Sequence, residues 1–289
     1  HACFYQSYAI SVDGALYAWG YNDFGQLGLG DTSDHWVPSR VGGDLFSARV
    51  DQLYLSRDSV VLLTRNQTVY AWGNNDQGQC GLGHNDPQLT PALVDGITDK
   101  VVQVAKGRAH AGVVTDQGQV LVWGANEWGQ LGLGHTNAQC SPVPLASPGP
   151  IKQLLMGHWS TFITLVAGGF VACGDNSYCQ LSRRVAHQGE RIIKQLTLMP
   201  SVITASIKTL AINAYHTVML TEDHRIITSG RNDCGQLGVG LAYGISVCHV
   251  ITLMPNLTAA CLRRWQALPA HISTTSDSSS ASMTLSGGV

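Results

Sequence analysis

A four-residue ending, Tyr17-Ala18-Trp19-Gly20, returns along this chain as Tyr70-Ala71-Trp72-Gly73, Leu121-Val122-Trp123-Gly124, Val171-Ala172-Cys173-Gly174 and Ile227-Thr228-Ser229-Gly230. The closing glycines lie 53, 51, 50 and 56 residues apart. Each is followed by the same punctuation, Asn22-Asp23-Phe24-Gly25-Gln26-Leu27-Gly28-Leu29-Gly30 in the first copy, then 75–83, 126–134 and 232–240. The fourth copy, Asn176-Ser177-Tyr178-Cys179-Gln180-Leu181-Ser182, keeps the frame and loses its glycines. A chain that writes one unit of about fifty residues five times, and begins a sixth, must fold by stacking copies of that unit.

The third copy shows what one unit is. Ala111 to Thr115 and Gln119 to Trp123 are short β-rich runs around the turn Asp116-Gln117-Gly118, which reads as a hairpin. Trp123-Gly124 ends the second run. The glycines at 129, 132 and 134 suit a tight excursion at positive φ, and Leu131 and Leu133 are expected to turn inward. A polar loop follows, then Pro142, then a further β run over 151–155. Pro38, Pro91 and Pro142 each stand 18 residues beyond their Trp-Gly glycine, while units four and five stretch the segment to Pro200 and Pro255.

No unit carries a sustained 3.6-residue period, and each supplies about four short strands, too few to bury a core alone. Four-stranded units repeated radially are the blades of a β-propeller, which protects the sheet edges that a free sheet exposes. The alternative, a β-solenoid, has rungs far shorter than fifty residues. The expected fold is therefore all-β, a β-propeller of four-stranded blades that is incomplete within this chain. It forms one domain over 1–289 with repeats near 1–47, 48–101, 102–151, 152–206 and 207–258 and a partial sixth at 259–289.

The string Leu-Tyr-Ala-Trp-Gly-x-Asn-x-x-Gly-Gln-Leu-Gly-x-Gly at 16–30, nearly repeated at 69–83 and 120–134, resembles the repeat of the regulator of chromosome condensation family. The resemblance spans almost the whole chain and implies a propeller of seven blades. The family's Gly-x-x-His element stands as Gly107-Arg108-Ala109-His110 and in part as Asn213-Ala214-Tyr215-His216, whereas the histidine slot holds Gln6, Ser59 and Ser160 elsewhere. A catalytic or metal-binding ring would not tolerate such exchange; a packing or hydrogen-bonding histidine would. At about 52 residues per unit the chain holds five and a half units. Residues 281–289 repeat the hairpin that opens the chain at 7–16, so the expectation is a segment of a longer protein. The alternative reading makes 273–286 a Ser-rich tail.

Composition removes several function classes. Lys and Arg total 17 against 19 Asp and Glu, with no run of four basic residues, which gives no reason to expect direct nucleic-acid binding. No apolar stretch reaches the length of a membrane span, and the start, His1-Ala2-Cys3-Phe4, has no signal-peptide layout. The eight cysteines form no C-x-x-C pair and are expected to be mostly reduced, buried small residues. No nucleophile elbow, phosphate loop or His-Glu-x-x-His motif is present, and the Gly-x-Gly strings precede no helix, so neither catalysis, metal nor cofactor is expected.

Loop aromatics are the remaining candidates, because rigid aromatic anchors carry much of the energy of protein interfaces. Phe24, Trp128 and Tyr178 share the slot two residues after the loop Asn, where packing on the neighbouring blade is the competing role. His35-Trp36 and Trp159 break the repeat pattern. The expected function is a non-catalytic scaffold docking a protein partner, a small GTPase or the subunits of a larger assembly, through loops on one propeller face. The alternative implied by the resemblance is a guanine-nucleotide exchange factor for a Ran-like small GTPase. The expected compartment is the cytoplasm, with the nucleus and cytoskeletal or ciliary structures as alternatives.

Overall fold

The computed structural model describes residues 1–42, 49–181, 191–198, 207–223 and 225–238. The partial sixth unit expected at 259–289, and Pro200 and Pro255, lie outside them. Within the described residues every regular element is a strand, and no helix is long and apolar enough to cross a membrane.

The strands form five antiparallel sheets, one per repeat. The first holds β1 (Ala2–Cys3), β2 (Gln6–Ile10), β3 (Leu16–Gly20) and β4 (His35–Arg40). The second holds β5 (Val50–Leu55), β6 (Ser59–Thr64), β7 (Val69–Gly73) and β8 (Gln88–Leu93). The third holds β9 (Val101–Lys106), β10 (His110–Thr115), β11 (Val120–Gly124) and β12 (Gln139–Leu145). The fourth holds β13 (Ile151–Met156), β14 (Ser160–Leu165), β15 (Phe170–Asp175) and β16 (Ile192–Leu198). Three described strands, β17 (Ile207–Ile212), β18 (His216–Thr221) and β19 (Ile226–Gly230), form the fifth. Each sheet is a meander in chain order. The first strands β5, β9, β13 and β17 approach one another in succession, which sets the sheets radially about a common axis with none closed on itself.

The predicted hairpin pairs as expected, with Val113 opposite Leu121 and Val114 opposite Val120. Pro38, Pro91 and Pro142 lie inside β4, β8 and β12, each the outermost strand of its sheet. An edge strand has one side without a ladder, so proline's missing N–H costs nothing there, and it blunts the edge against further pairing.

The core lies between the sheets. One cluster joins Tyr8, Leu16 and Leu27 of the first unit to Val60, Leu62 and Trp72 of the second. Others join the second and third units around Trp123, the third and fourth around Leu131, and the fourth and fifth around Phe162 and Met219. No blade is stable by itself: each hydrophobic face is completed by the next copy. Of the described cysteines, Cys3, Cys80, Cys140, Cys173 and Cys234 are free and Cys179 is disulfide-bonded, so they are mostly reduced as expected, but Cys140 is half-buried and Cys234 exposed where burial was expected.

Candidate partner interface

The nine-residue loop after Trp-Gly keeps its shape by side chains bonding its own backbone. In all five copies the Asn Oδ1 accepts from the amide five residues on: Asn22 from Leu27 at 2.9 Å, Asn75 from Cys80 at 2.9 Å, Asn126 from Leu131 at 2.9 Å, Asn176 from Leu181 at 3.0 Å and Asn232 from Leu237 at 3.0 Å. The Gln side chain accepts from the amide two residues earlier, as in Gln26 to Phe24 at 3.0 Å and Gln130 to Trp128 at 2.9 Å. The glycine between them adopts φ near 70° in four copies. In the fourth, Cys179 takes φ 61° instead, at a cost of about 1–3 kcal/mol.

Each loop then reaches the next sheet. The amides of Gly30, Gly83 and Gly134 donate to the carbonyls of Leu89, Cys140 and Lys194 on the following outer strand, at 3.0, 2.8 and 2.8 Å. The loop Gln carbonyl faces the following unit as well. It receives the Trp72 indole in unit two (2.7 Å from Gln26 O) and the Trp123 indole in unit three (3.2 Å from Gln79 O). In units four and five the Trp is replaced by Cys173 and Ser229. There Thr161 donates to Gln130 O at 2.6 Å and Thr217 to Gln180 O at 2.8 Å from a different strand. Cys173 Sγ and Ser229 Oγ reach the same carbonyls at 3.5 and 3.4 Å, so the shorter bond has passed to the threonine while the Trp position keeps a longer one.

The histidine slot is structural. His110 is fully buried between the third and fourth sheets, its Nε2 3.2 Å from Thr161 Oγ1. That hydroxyl gives its hydrogen to Gln130 O, so its oxygen accepts and His110 is the Nε2–H tautomer. Burial pushes its pKa down to about 3, and it carries no charge at neutral pH.

These loops, with the short turns that join the first and second strands, make up one face of the sheets. Several aromatics and arginines gather there. Tyr5, 69% exposed, meets Tyr21 edge-on at 6.3 Å, and Tyr21 meets Phe24 at 6.5 Å. Arg108 lies 4.8 Å over the Trp159 ring, which stacks on His158 at 5.0 Å. Tyr178 crosses to Tyr215 of the following unit at 5.4 Å, with Arg231 over both rings at 5.5 and 5.4 Å. Trp128 is half-buried, its indole nitrogen donating to Glu127 Oε1 at 3.0 Å. Trp36 is 87% exposed in β4, at the rim of the same face, while its neighbour His35 is tied to Asp31 and Ser39 at 3.2 Å each. The six candidate residues therefore distribute over three patches (Phe24, Trp159, Tyr178), one rim position (His35, Trp36) and Trp128 apart from these beside Glu127. Tyr5, Arg108, Tyr215 and Arg231 join them. Sequence reading passed these four over because Arg108 and Tyr215 are the variable positions of the Gly-x-x-His element and Arg231 follows the closing Gly230; Tyr5 and Tyr215 share one repeat position, held elsewhere by Asp58, Ala109 and Trp159. Among the described residues no three His, Cys, Asp or Glu side chains converge to hold a metal ion.

The regulator of chromosome condensation (RCC1) repeat model matches residues 13–60, 66–114 and 117–164, and a second model of that repeat matches 50–79 and 207–236. Among curated proteins the chain is 29% identical over 228 residues to the ultraviolet-B receptor UVR8 of Arabidopsis thaliana, covering 78% of this chain and 51% of the receptor. It is 28% identical over 179 residues to the X-linked retinitis pigmentosa GTPase regulator homolog of Caenorhabditis elegans, covering 61% of this chain and 13% of that protein. The chain thus spans about half or less of these relatives. Among solved structures, Prp20p of Saccharomyces cerevisiae superposes with a TM-score of 0.75 at 22% identity, covering 89% of this chain and 64% of that one. Human WBSCR16 gives 0.71 at 20% identity, covering 87% and 66%.

Proposed function

Since the chain belongs to the regulator of chromosome condensation repeat family, we propose that it is a non-catalytic docking domain whose loop face binds a protein partner. The observation that carries this reading is the division of labour within the repeat. The recurrent loop residues hold the loop's own backbone or join it to the next unit, while the aromatics and arginines that vary between units lie exposed or half-buried on one face. Tyr, Trp and Arg are the residues that anchor protein interfaces, and here they are held in place by stacking before any partner arrives. Exposed cation–π pairs such as Arg108–Trp159 add about 0.5–1 kcal/mol of such ordering.

The test is an affinity capture with the full chain from cells that express it. Trp159→Ala, Tyr215→Ala and Trp36→Ala should each reduce recovery of a stoichiometric partner, with Val166→Ala, on a hairpin tip of the opposite face, as control. Undiminished recovery by all three loop-face variants would sink the reading.

A further inference from the structure

The chain holds two Asp-Gly pairs, Asp13-Gly14 and Asp95-Gly96, and no Asn-Gly. In such a pair the backbone can attack its own side chain. The amide nitrogen of the second residue reaches the side-chain carbonyl carbon of the first, and glycine brings no Cβ to obstruct it. The reaction asks three things of a fold: an amide not committed to a hydrogen bond, a carboxyl that takes up a proton and swings back over that amide, and room for the ring that forms.

Both pairs lie on the face opposite the docking loops, yet the fold treats them differently. Asp13-Gly14 turns the β2–β3 hairpin. There the Gly14 amide donates to Ser11 O at 2.9 Å, and Ser11 Oγ donates to Asp13 Oδ1 at 2.5 Å. That hydroxyl holds the Asp13 carboxyl below the usual carboxylate range, in the ionised form that resists attack. Gly14 is buried as well, and an added Cβ would stand 3.3 Å from the Arg49 side chain. Nucleophile, electrophile and space are all withheld.

Asp95-Gly96 belongs to the link between β8 and β9, which joins the second unit to the third. Both residues are exposed, and Gly96, at φ 85°, has nothing within 4 Å of the place a Cβ would occupy. Among the described residues nothing accepts a hydrogen bond from the Gly96 amide or donates one to the Asp95 carboxylate. The link is pinned only on either side of the pair. Val94 is buried with its amide donating to Val69 O at 2.9 Å, and Ile97 packs on the cluster around Trp123.

We propose that Asp95-Gly96 is a self-modification site at which the folded chain converts aspartate to isoaspartate. The Gly96 nitrogen bonds to Cγ of the protonated Asp95 carboxyl, the Cγ–OH bond breaks, and the hydroxyl leaves as water with the amide proton, closing a succinimide. Water then adds to either imide carbonyl and cleaves the N–C bond there. Opening at the side-chain carbonyl restores aspartate. Opening at the main-chain carbonyl routes the backbone through the side chain and frees the α-carboxylate, with no net change in composition. That α-carboxylate is the group an isoaspartyl methyltransferase esterifies, taking the methyl from S-adenosylmethionine and releasing S-adenosylhomocysteine. The rerouted backbone is longer by a methylene between Val94 and Ile97, so the link must bulge between its anchors at the joint of units two and three. The site lies outside the docking face and stands whether or not that face binds a partner.

The full chain is aged in neutral buffer well below its thermal midpoint, beside a sample aged in urea, where the fold shelters neither pair. Isoaspartate is then read peptide by peptide, by electron-transfer mass spectrometry and by methyl transfer from labelled S-adenosylmethionine with a purified isoaspartyl methyltransferase. In the folded sample the 95–96 peptide should gain isoaspartate with time while the 13–14 peptide stays at the level of fresh protein; in urea both should gain it. Asp95→Glu, whose longer side chain closes the ring poorly, should lose the signal at 95–96 and keep the thermal midpoint. No isoaspartate at 95–96 in the folded chain, as much at 13–14 as at 95–96, or an undiminished signal in Asp95→Glu would each overturn the proposal.

Discussion

The Trp123 indole donates to the Gln79 carbonyl across the seam between the second and third sheets, at 3.2 Å, and among the described residues no second side chain shares that acceptor. One seam earlier, Gln26 O receives both the Trp72 indole at 2.7 Å and the Tyr8 hydroxyl at 2.6 Å. Phenylalanine at either position keeps most of the apolar area and removes the donor. Trp123→Phe leaves a buried carbonyl bare, at a cost of about 1–3 kcal/mol beyond lost packing, whereas after Trp72→Phe the tyrosine still satisfies it. Urea unfolding should therefore rank Trp123→Phe as the more damaging change although its hydrogen bond is the longer one.

Where the tryptophan is missing, a threonine should carry the same weight. Thr161 gives its hydrogen to Gln130 O and accepts from His110. Thr161→Val has nearly the same shape and breaks both bonds, so a loss of about 2–3 kcal/mol is expected, while Thr161→Ser, which keeps the hydroxyl, should recover much of it. Equal stability of the valine and serine variants would show that the bond carries nothing.

His110 makes stability depend on pH. In the unfolded chain it takes up a proton near 6.5, in the folded chain only near 3. Between those values the unfolded state holds the extra proton, so stability falls as pH drops, by at most about 1.4 kcal/mol per unit, and the contribution is intact above 6.5. His110→Gln uses the residue that unit one carries in this slot, Gln6. That variant should flatten the acid limb of a denaturation series. A residual slope is expected from His216, whose pKa burial also lowers.

Two glycines with similar backbone angles separate strain from collision. Gly81 (φ 71°) and Gly118 (φ 75°) both lie in the left-handed region, but a Cβ on Gly81 would stand 2.8 Å from the Trp123 indole nitrogen, whereas Gly118 has open space around it. Alanine at 118 should cost about 1 kcal/mol, and at 81 distinctly more, measured by thermal unfolding of the two variants side by side.

The hairpins and the glycine-rich loops were legible in the sequence because each is local: strand, turn and strand lie within about fifteen residues, and the loop's Asn and Gln bond to backbone two and five positions away. The prolines' fixed offset was legible but their place was not, since Pro38, Pro91 and Pro142 sit in edge strands, where the usual objection to proline lapses. Phe24, Trp128 and Tyr178 share a sequence slot yet meet different neighbours, because what each touches is set by residues that vary between units, Tyr21 of its own loop for one and Tyr215 of the following unit's turn for another. The arrival of Thr161 and Thr217 as the shorter donors to the Gln carbonyl was invisible, as they come from a different strand than the Trp position.

The bonds from each loop run in one direction, from a unit to its successor. A copy cut at the repeat boundary therefore leaves with its own hook and without the eye it fastens to. What the chain multiplies is a repeat; what holds together as a piece is one repeat's hairpin with the loop of the repeat before it. A circular permutation opened inside the hairpin turn at Gln117 leaves that piece's joints intact, whereas one opened between Gly124 and Gly134 severs the link at its source.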